Sequence, residues 1–269
     1  MSLRPFIKMH GLGNDFLVLD AREAPVALSG TQVRALANRH TGIGFDQLVL
    51  IEPSAMADVR LRFWNSDGGE VAACGNGSRA AAALLGGHQR IETDGGALES
   101  QAIADGAEVD MGTPQWDWQA VPLAFAMDTL ALPLNWEELA NPAALSVGNP
   151  HAVFVVPNAA AVPLEQLGPV IEHDSVFPQR VNVGVMQIAA RDAIILRVWE
   201  RGAGATLACG TGAVAAVAAG QRRGLLDDRV AVTMPGGKLV VTRRADGHLL
   251  LAGPAQVAFS GMVDLERYA

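Results

Sequence analysis

Two short runs, Ala73-Cys74-Gly75-Asn76-Gly77 and Ala208-Cys209-Gly210-Thr211-Gly212, hold the chain's two cysteines in nearly the same setting, 135 residues apart. Laid on itself at that offset, the chain matches over a long span without a gap. Leu61, Arg62 and Trp64 fall on Leu196, Arg197 and Trp199, and Gly69 falls on Gly204. Asn65 falls on Glu200, Gln47 on Asn182, and Gly13-Asn14 on Gly148-Asn149. Beyond the cysteines the offset grows to 141, where Gly95-Gly96 meets Gly236-Gly237 and Asp105-Gly106 meets Asp246-Gly247. A six-residue insertion in the second copy accounts for the change. Alanine-rich stretches give chance matches, but they do not align tryptophan and cysteine in one register. Such a repeat requires two like halves. They are read here as residues 1–116 and 117–259, with the tail 260–269 returning to the first.

Within a half, the pattern is strand, turn, cysteine, helix, then short strands. Val59 to Trp64 alternates in part, as a strand does, and Asn65-Ser-Asp-Gly-Gly69 is turn chemistry. Ser78 to Leu85 is rich in alanine, the best helix former, and Gly86-Gly87 ends it. Leu98–Ile103 and Ala107–Met111 flank Asp105-Gly106, a hairpin signal. The second half repeats the plan with a strand Ile194–Trp199, a helix Gly212–Gln221 and strands Val230–Thr233, Lys238–Arg243 and His248–Ala252. The fold class expected is α+β: two pseudo-symmetric domains, each a mostly antiparallel β structure wrapped around a central helix that starts just after its cysteine.

Composition excludes several partners. The net charge is −8 with no basic run, which argues against nucleic acid and anionic membrane. No apolar stretch reaches the ~20 residues of a membrane helix, and the first residues lack the apolar core of a signal peptide. The expectation is a cytoplasmic protein acting on a small-molecule substrate. Two cysteines are too few for a disulfide scaffold or a four-cysteine zinc site. No metal site and no pyridoxal-type lysine site is evident, so no cofactor is expected.

A thiol at a helix N-terminus lies beside unpaired N–H groups and the positive end of the helix dipole, which favours thiolate. The glycines let the backbone approach a ligand closely, and the N–H groups suit a carboxylate. Two such helices around one pocket would set a thiol on each face of a bound α-carbon. Inversion of a stereocentre needs a base on one face and an acid on the other, and a thiol serves as either.

The chain resembles the diaminopimelate epimerase family in Lys8-Met-His-Gly-Leu-Gly-Asn-Asp-Phe16, Thr41-Gly-Ile-Gly-Phe-Asp-Gln47, Phe63 to Gly69, both cysteine runs, Gly148-Asn-Pro-His151, Asn182-Val183 and Trp199-Glu-Arg-Gly202. The resemblance implies interconversion of LL- and meso-diaminopimelate without pyridoxal phosphate or metal, in lysine and peptidoglycan biosynthesis, by a homodimer. It implies that Cys74 and Cys209 are the acid/base pair and that Gly75, Asn76, Gly210 and Thr211 cradle the α-carboxylate. Asn14, Gln47, Asn65, Asn149, Asn182, Glu200 and Arg201 become substrate contacts. His151 and Glu200 tune the thiols, and Tyr268 is a dimer contact. The chain departs from the family pattern at Ala205, where Glu is usual, at Ser66 and Gly69, where Ala and Ser are usual, and at Ala80, where a further Cys is frequent.

Each position has a plainer reading. Cysteine is commonly a small buried hydrophobe; Asn14, Asn76 and Asn149 are caps or turns; His151 is a bonded core side chain; Glu200 and Arg201 are a surface ion pair; Trp64 and Trp199 are packing residues. Rival functions are another cofactor-independent racemase of the same architecture, acting on proline or hydroxyproline, and a redox sensor that closes the two thiols into a disulfide.

Overall fold

Alternation along the strands decides where the cores form. The computed structural model describes residues 3–72 and 74–268, so Ala73 of the first cysteine run lies outside the described residues. Contacts divide the chain into two units, Met1–Asp110 with Ala252–Ala269, and Met111–Leu251. The division falls at 110/111 rather than the expected 116/117, and the return to the first unit begins at Ala252 rather than at residue 260. The returning segment is a full strand: Gln256–Asp264 pairs antiparallel with Leu3–Gly11, from Leu3 opposite Asp264 to His10 opposite Gln256.

In the first unit, Leu3–Gly11 pairs with Asn14–Asp20, which lies parallel to Gln47–Glu52, itself antiparallel to Val59–Asn65. Successive side chains on a strand point to opposite faces. Leu17, Leu19, Leu48 and Leu50 therefore enter one core, shared with Val33 and Leu36 of helix α1 (Gly30–Ala37). Phe16, Val18, Val49 and Ile51 enter the other, shared with Ala80, Ala81 and Ala82 of helix α2 (Gly75–Leu85). The small alanines help bury the stretch Asn76–Ala82 of α2 on every side.

The second unit repeats this. Pro150–Val155 lies parallel to Asn182–Ala190, which is antiparallel to Ala193–Glu200. One face packs on helix α3 (Leu164–Glu172) through Leu164, Leu167 and Ile171. The central helix α4 (Gly210–Arg222) is buried along nearly its whole length.

Strand pairing follows the repeat residue for residue. Val59 pairs with Ile91 and Ile91 with Leu98; Ile194 pairs with Val232 and Val232 with Leu239. These are the same positions at offsets of 135 and 141. The six added residues are therefore located. Two lengthen the helix, from 11 residues in α2 to 13 in α4, and four lengthen the connection that follows, from Gly86–Gly87 to residues 223–228.

One close approach supports the site. Gly168 of α3 lies against Trp199, and a Cβ at that position would meet the indole Cγ at 2.5 Å. Trp199 immediately precedes Glu200. Gly168→Ala forces the ring or the helix to move, with an expected loss of about 1–3 kcal/mol in urea denaturation; an unchanged midpoint and slope would show that the contact relaxes freely.

Candidate functional site

Each central helix begins with its cysteine as the cap. Cys74 and Cys209 hold extended backbone, φ −146° and −130°, while the next residues turn helical. The sulfur takes the place of the usual Ser, Thr, Asp or Asn oxygen: Sγ of Cys74 accepts the Gly77 N–H at 3.2 Å, and Sγ of Cys209 accepts the Gly212 N–H at 3.3 Å. Both glycines are required by space. A Cβ on Gly77 would meet Phe63 at 3.0 Å, and one on Gly212 would meet Val198 at 2.9 Å.

In the first unit, the Cys74 thiol donates to Oε1 of Gln47 at 2.7 Å, and Nε2 of Gln47 donates to Oδ1 of Asn65 at 3.0 Å. Gln47 and Asn65 are register partners on neighbouring strands, which fixes their approach. Asn76, on the first turn of α2, donates to Oδ1 of Asn14 at 3.4 Å, and Asn14 donates to Asp46 at 3.1 Å. Asp15 anchors the strand beside Asn14. Burial works to raise its carboxyl, but hydrogen bonds from Arg39 and Lys8 outweigh burial and hold it well below the usual carboxylate range.

The second unit carries the matched set. Nδ2 of Asn149 donates to Oγ1 of Thr211 at 3.3 Å, mirroring the Asn76–Asn14 pair, and Thr211 lies 3.5 Å from Sγ of Cys209. Asn182 donates to the Pro150 carbonyl at 2.8 Å and accepts the Arg201 N–H at 2.9 Å. Oγ1 of Thr206 donates to Glu200 at 2.5 Å. Thr206 supplies that bond beside the exposed Ala205. His151 is fully buried, and its Nε2 meets Oδ1 of Asn149 at 3.0 Å while Nδ1 has no partner. The Arg201 side chain donates to the Gln179 carbonyl at 3.0 Å and is exposed. Gly75 and Gly210 are the first helical residues of α2 and α4. The half-buried Tyr268 packs on the first unit's core.

Electrostatics depart from expectation at the second thiol. Burial pushes Cys209 well above the ordinary thiol range, and the neighbouring Glu200 charge adds to the effect; the Gly212 N–H and Thr211 work the other way. A helix N-terminus alone therefore does not make this sulfur a resting thiolate. Glu200 is itself raised, by burial first, against hydrogen bonds from Thr206 and Cys209. It bonds to these two rather than pairing with Arg201 on the surface. Burial, then the Arg201 charge, brings His151 down to about 3, so the imidazole is neutral.

The sequence reading missed Asp46, Thr206 and Arg79, which hold the chosen residues in place. Asp46 had a signal beside Gln47, and Thr206 had one beside Ala205. Arg79 was visible as a charged residue inside an alanine run. Among the described residues no cluster of three or more His, Cys, Asp or Glu side chains could hold a metal ion, and no helix is long and apolar enough to cross a membrane. Each half-site presents a thiol able to hold or move a proton beside a cluster of backbone N–H groups able to take a carboxylate.

Comparison with known proteins identifies the family. The model of the family described as diaminopimelate epimerase matches residues 6–117 and 143–258. A diaminopimelate epimerase of Erythrobacter litoralis is 54% identical over 265 residues, covering 98% of each chain. One of Rhizorhabdus wittichii is 52% identical over 264 residues, covering 98% of this chain and 96% of that one. Among solved structures, a Bacillus anthracis phenazine biosynthesis protein of the PhzF family has a TM-score of 0.70 at 17% identity, covering 98% of this chain and 100% of the other. A probable proline racemase from Agrobacterium radiobacter has a TM-score of 0.70 at 16% identity, covering 97% and 93%. These structures share the fold. With the family model matching both halves and relatives at about half identity along nearly the full length, the chain belongs to the diaminopimelate epimerase family of isomerases.

Proposed function

We propose that this chain interconverts LL- and meso-2,6-diaminopimelate, in lysine and peptidoglycan biosynthesis, through its two cysteines and without pyridoxal phosphate or metal. The observation that carries the reading is the duplicated cap: two sulfurs, each accepting an N–H in the first turn of a buried helix whose second residue bonds a matched Asn. In the reaction, one cysteine as thiolate takes the α-proton and becomes a thiol. The electron pair left on carbon is delocalised into the α-carboxylate, which the N–H groups of Gly75, Asn76, Gly210 and Thr211 stabilise. The other cysteine gives its proton to the opposite face and becomes the thiolate. No atom is gained or lost, the centre is inverted, and proton exchange with water resets the pair.

Asn14, Gln47, Asn65, Asn149 and Asn182 orient the substrate, and Glu200 holds an ammonium. Arg201 suits the distal carboxylate as a planar two-pronged donor. That distal end separates the reading from proline or hydroxyproline racemisation, where Arg201 has no partner. His151 acts by fixing Asn149 and Glu200 by tuning Cys209. The protein acts in the cytoplasm as a homodimer. Support for the dimer comes from Leu3, Val257, Phe259 and Met262, all more than half exposed on the paired strands Leu3–Gly11 and Gln256–Asp264, with Tyr268 nearby in sequence.

In deuterated water the product gains solvent deuterium at the inverted centre. Cys74→Ala and Cys209→Ala each lower kcat by about 10²–10⁴-fold, and the serine variants keep weak activity at best. Near-normal rates in either alanine variant, or turnover of L-proline in place of diaminopimelate, would sink the proposal.

The buried imidazole sets an acid limit on stability. In the unfolded chain His151 takes a proton below about 6.5, but in the folded chain only near 3. Its contribution is therefore complete above pH 6.5 and is lost as pH falls from 6.5 toward 3. Between pH 7 and pH 5, wild-type Tm should drop more than that of His151→Gln; equal drops would show that His151 is not the group responsible.

By sedimentation, the wild type should run as a dimer of the 28.1 kDa chain, and Phe259→Glu or Tyr268→Ala should shift it toward monomer. A wild type that is monomeric at micromolar concentration contradicts the homodimer.

A further inference from the structure

The match between the two halves breaks at a buried position. Five residues past Cys74 on α2 stands Arg79; five residues past Cys209 on α4 stands Val214. Both are fully buried. A central helix therefore forms in this setting with an apolar side chain at that place, and the fold does not call for a guanidinium there. Burying one is costly unless it is paired and fully bonded. Arg79 is only partly compensated. Nη1 donates to Oδ1 of Asn76 at 3.0 Å and Nε to the Pro254 carbonyl at 3.3 Å, while Nη2 is buried without a partner. Gly11 leaves room for that nitrogen, since a Cβ there would stand 3.0 Å from it.

Among the described residues no carboxylate pairs with this cation. Burial brings Arg79 down to about 10, and the ionisable neighbour that counters burial is Cys74. The coupling is mutual: a thiolate that favours the guanidinium is favoured by it. Asn76 and the Pro254 carbonyl, its other polar neighbours, do not titrate. Cys209 has the opposite surroundings, with the Glu200 carboxyl at its side and Val214 in place of the cation.

We propose that Arg79 is a positioning residue of the first half-site: its guanidinium holds the Asn76 amide from behind and fixes a positive charge near Cys74 that favours the thiolate there. The consequence for turnover rests on the epimerase reading; the effect on the sulfur does not. The competing role is a clamp, in which Arg79 serves only to tie α2 to the chain at Pro254.

Iodoacetamide alkylation at pH 7, followed cysteine by cysteine through peptide mass spectrometry, separates the two roles without substrate. Arg79→Met should slow alkylation of Cys74 about tenfold, the effect of a one-unit shift and the lower end for an opposite charge nearby. Alkylation of Cys209 should be unchanged. Arg79→Lys, which keeps the charge, should restore the Cys74 rate. An Arg79→Met protein with native circular dichroism and a wild-type Cys74 rate overturns the proposal, as does an Arg79→Lys protein as slow as Arg79→Met. Should Arg79→Met fail to fold, Arg79→Gln takes its place: a Cys74 rate about tenfold below wild type supports the charge, and a wild-type rate overturns it. If Cys74 responds as stated but no variant or wild type turns over diaminopimelate, the epimerase reading fails and the role of Arg79 stands.

Discussion

A sulfur atom accepting a free N–H group in the first turn of a buried helix organises both halves of this protein. The bond to Gly77 or Gly212 is weak beside an ordinary oxygen cap, since a thiol is a poor acceptor. Sulfur in the cap nevertheless puts a proton carrier at the positive end of the helix. The surrounding sequence makes that position tenable. A glycine at the third helical residue admits the neighbouring strand's side chain, alanines admit the sheet, and strand register brings Gln47 against Asn65 beside the first sulfur.

The two copies keep the geometry of this cap and differ in its charges. Position for position, Asn65 corresponds to Glu200, Arg79 to Val214 and Phe16 to His151. The first half-site thus contains an amide and a buried cation, and the second contains a carboxyl and, elsewhere, an imidazole kept neutral by burial. A symmetric frame with unequal fields suits the proposed pair, of which one must start as thiolate and the other as thiol.

Much of this was legible in the chain. The offset of 135 foretold two like halves, and the later offset of 141 foretold six added residues, which the structure places in the second helix and its connection. Both central helices start just after their cysteines, as the repeated setting implied, and so ahead of the runs Ser78–Leu85 and Gly212–Gln221, because the intervening glycines belong to the first helical turn. Helix α1 went unread although Ser29 and Gln32 form a capping box, a short local signal with no counterpart at the repeat offset. The boundary was misjudged because the strand Gln256–Asp264 pairs with the chain's first strand, a contact between distant segments that no local pattern announces. The raised thiol of Cys209 was illegible for a related reason: helix dipoles are read from the sequence, but desolvation depends on what the rest of the unit lays over the site.

The location of the inserted residues carries a consequence for how such a doubled chain diverges. A helix advances 1.5 Å and turns about 100° with every residue, so one residue added ahead of α4 would swing its sulfur a quarter-turn out of line. The same residue added at the far end only prolongs a cylinder whose origin is already set. All six surplus residues lie on the downstream side. Length is thus free to drift at one pole of the helix and pinned at the other, and the ancestry of the duplication stays readable in the pinned half of each copy.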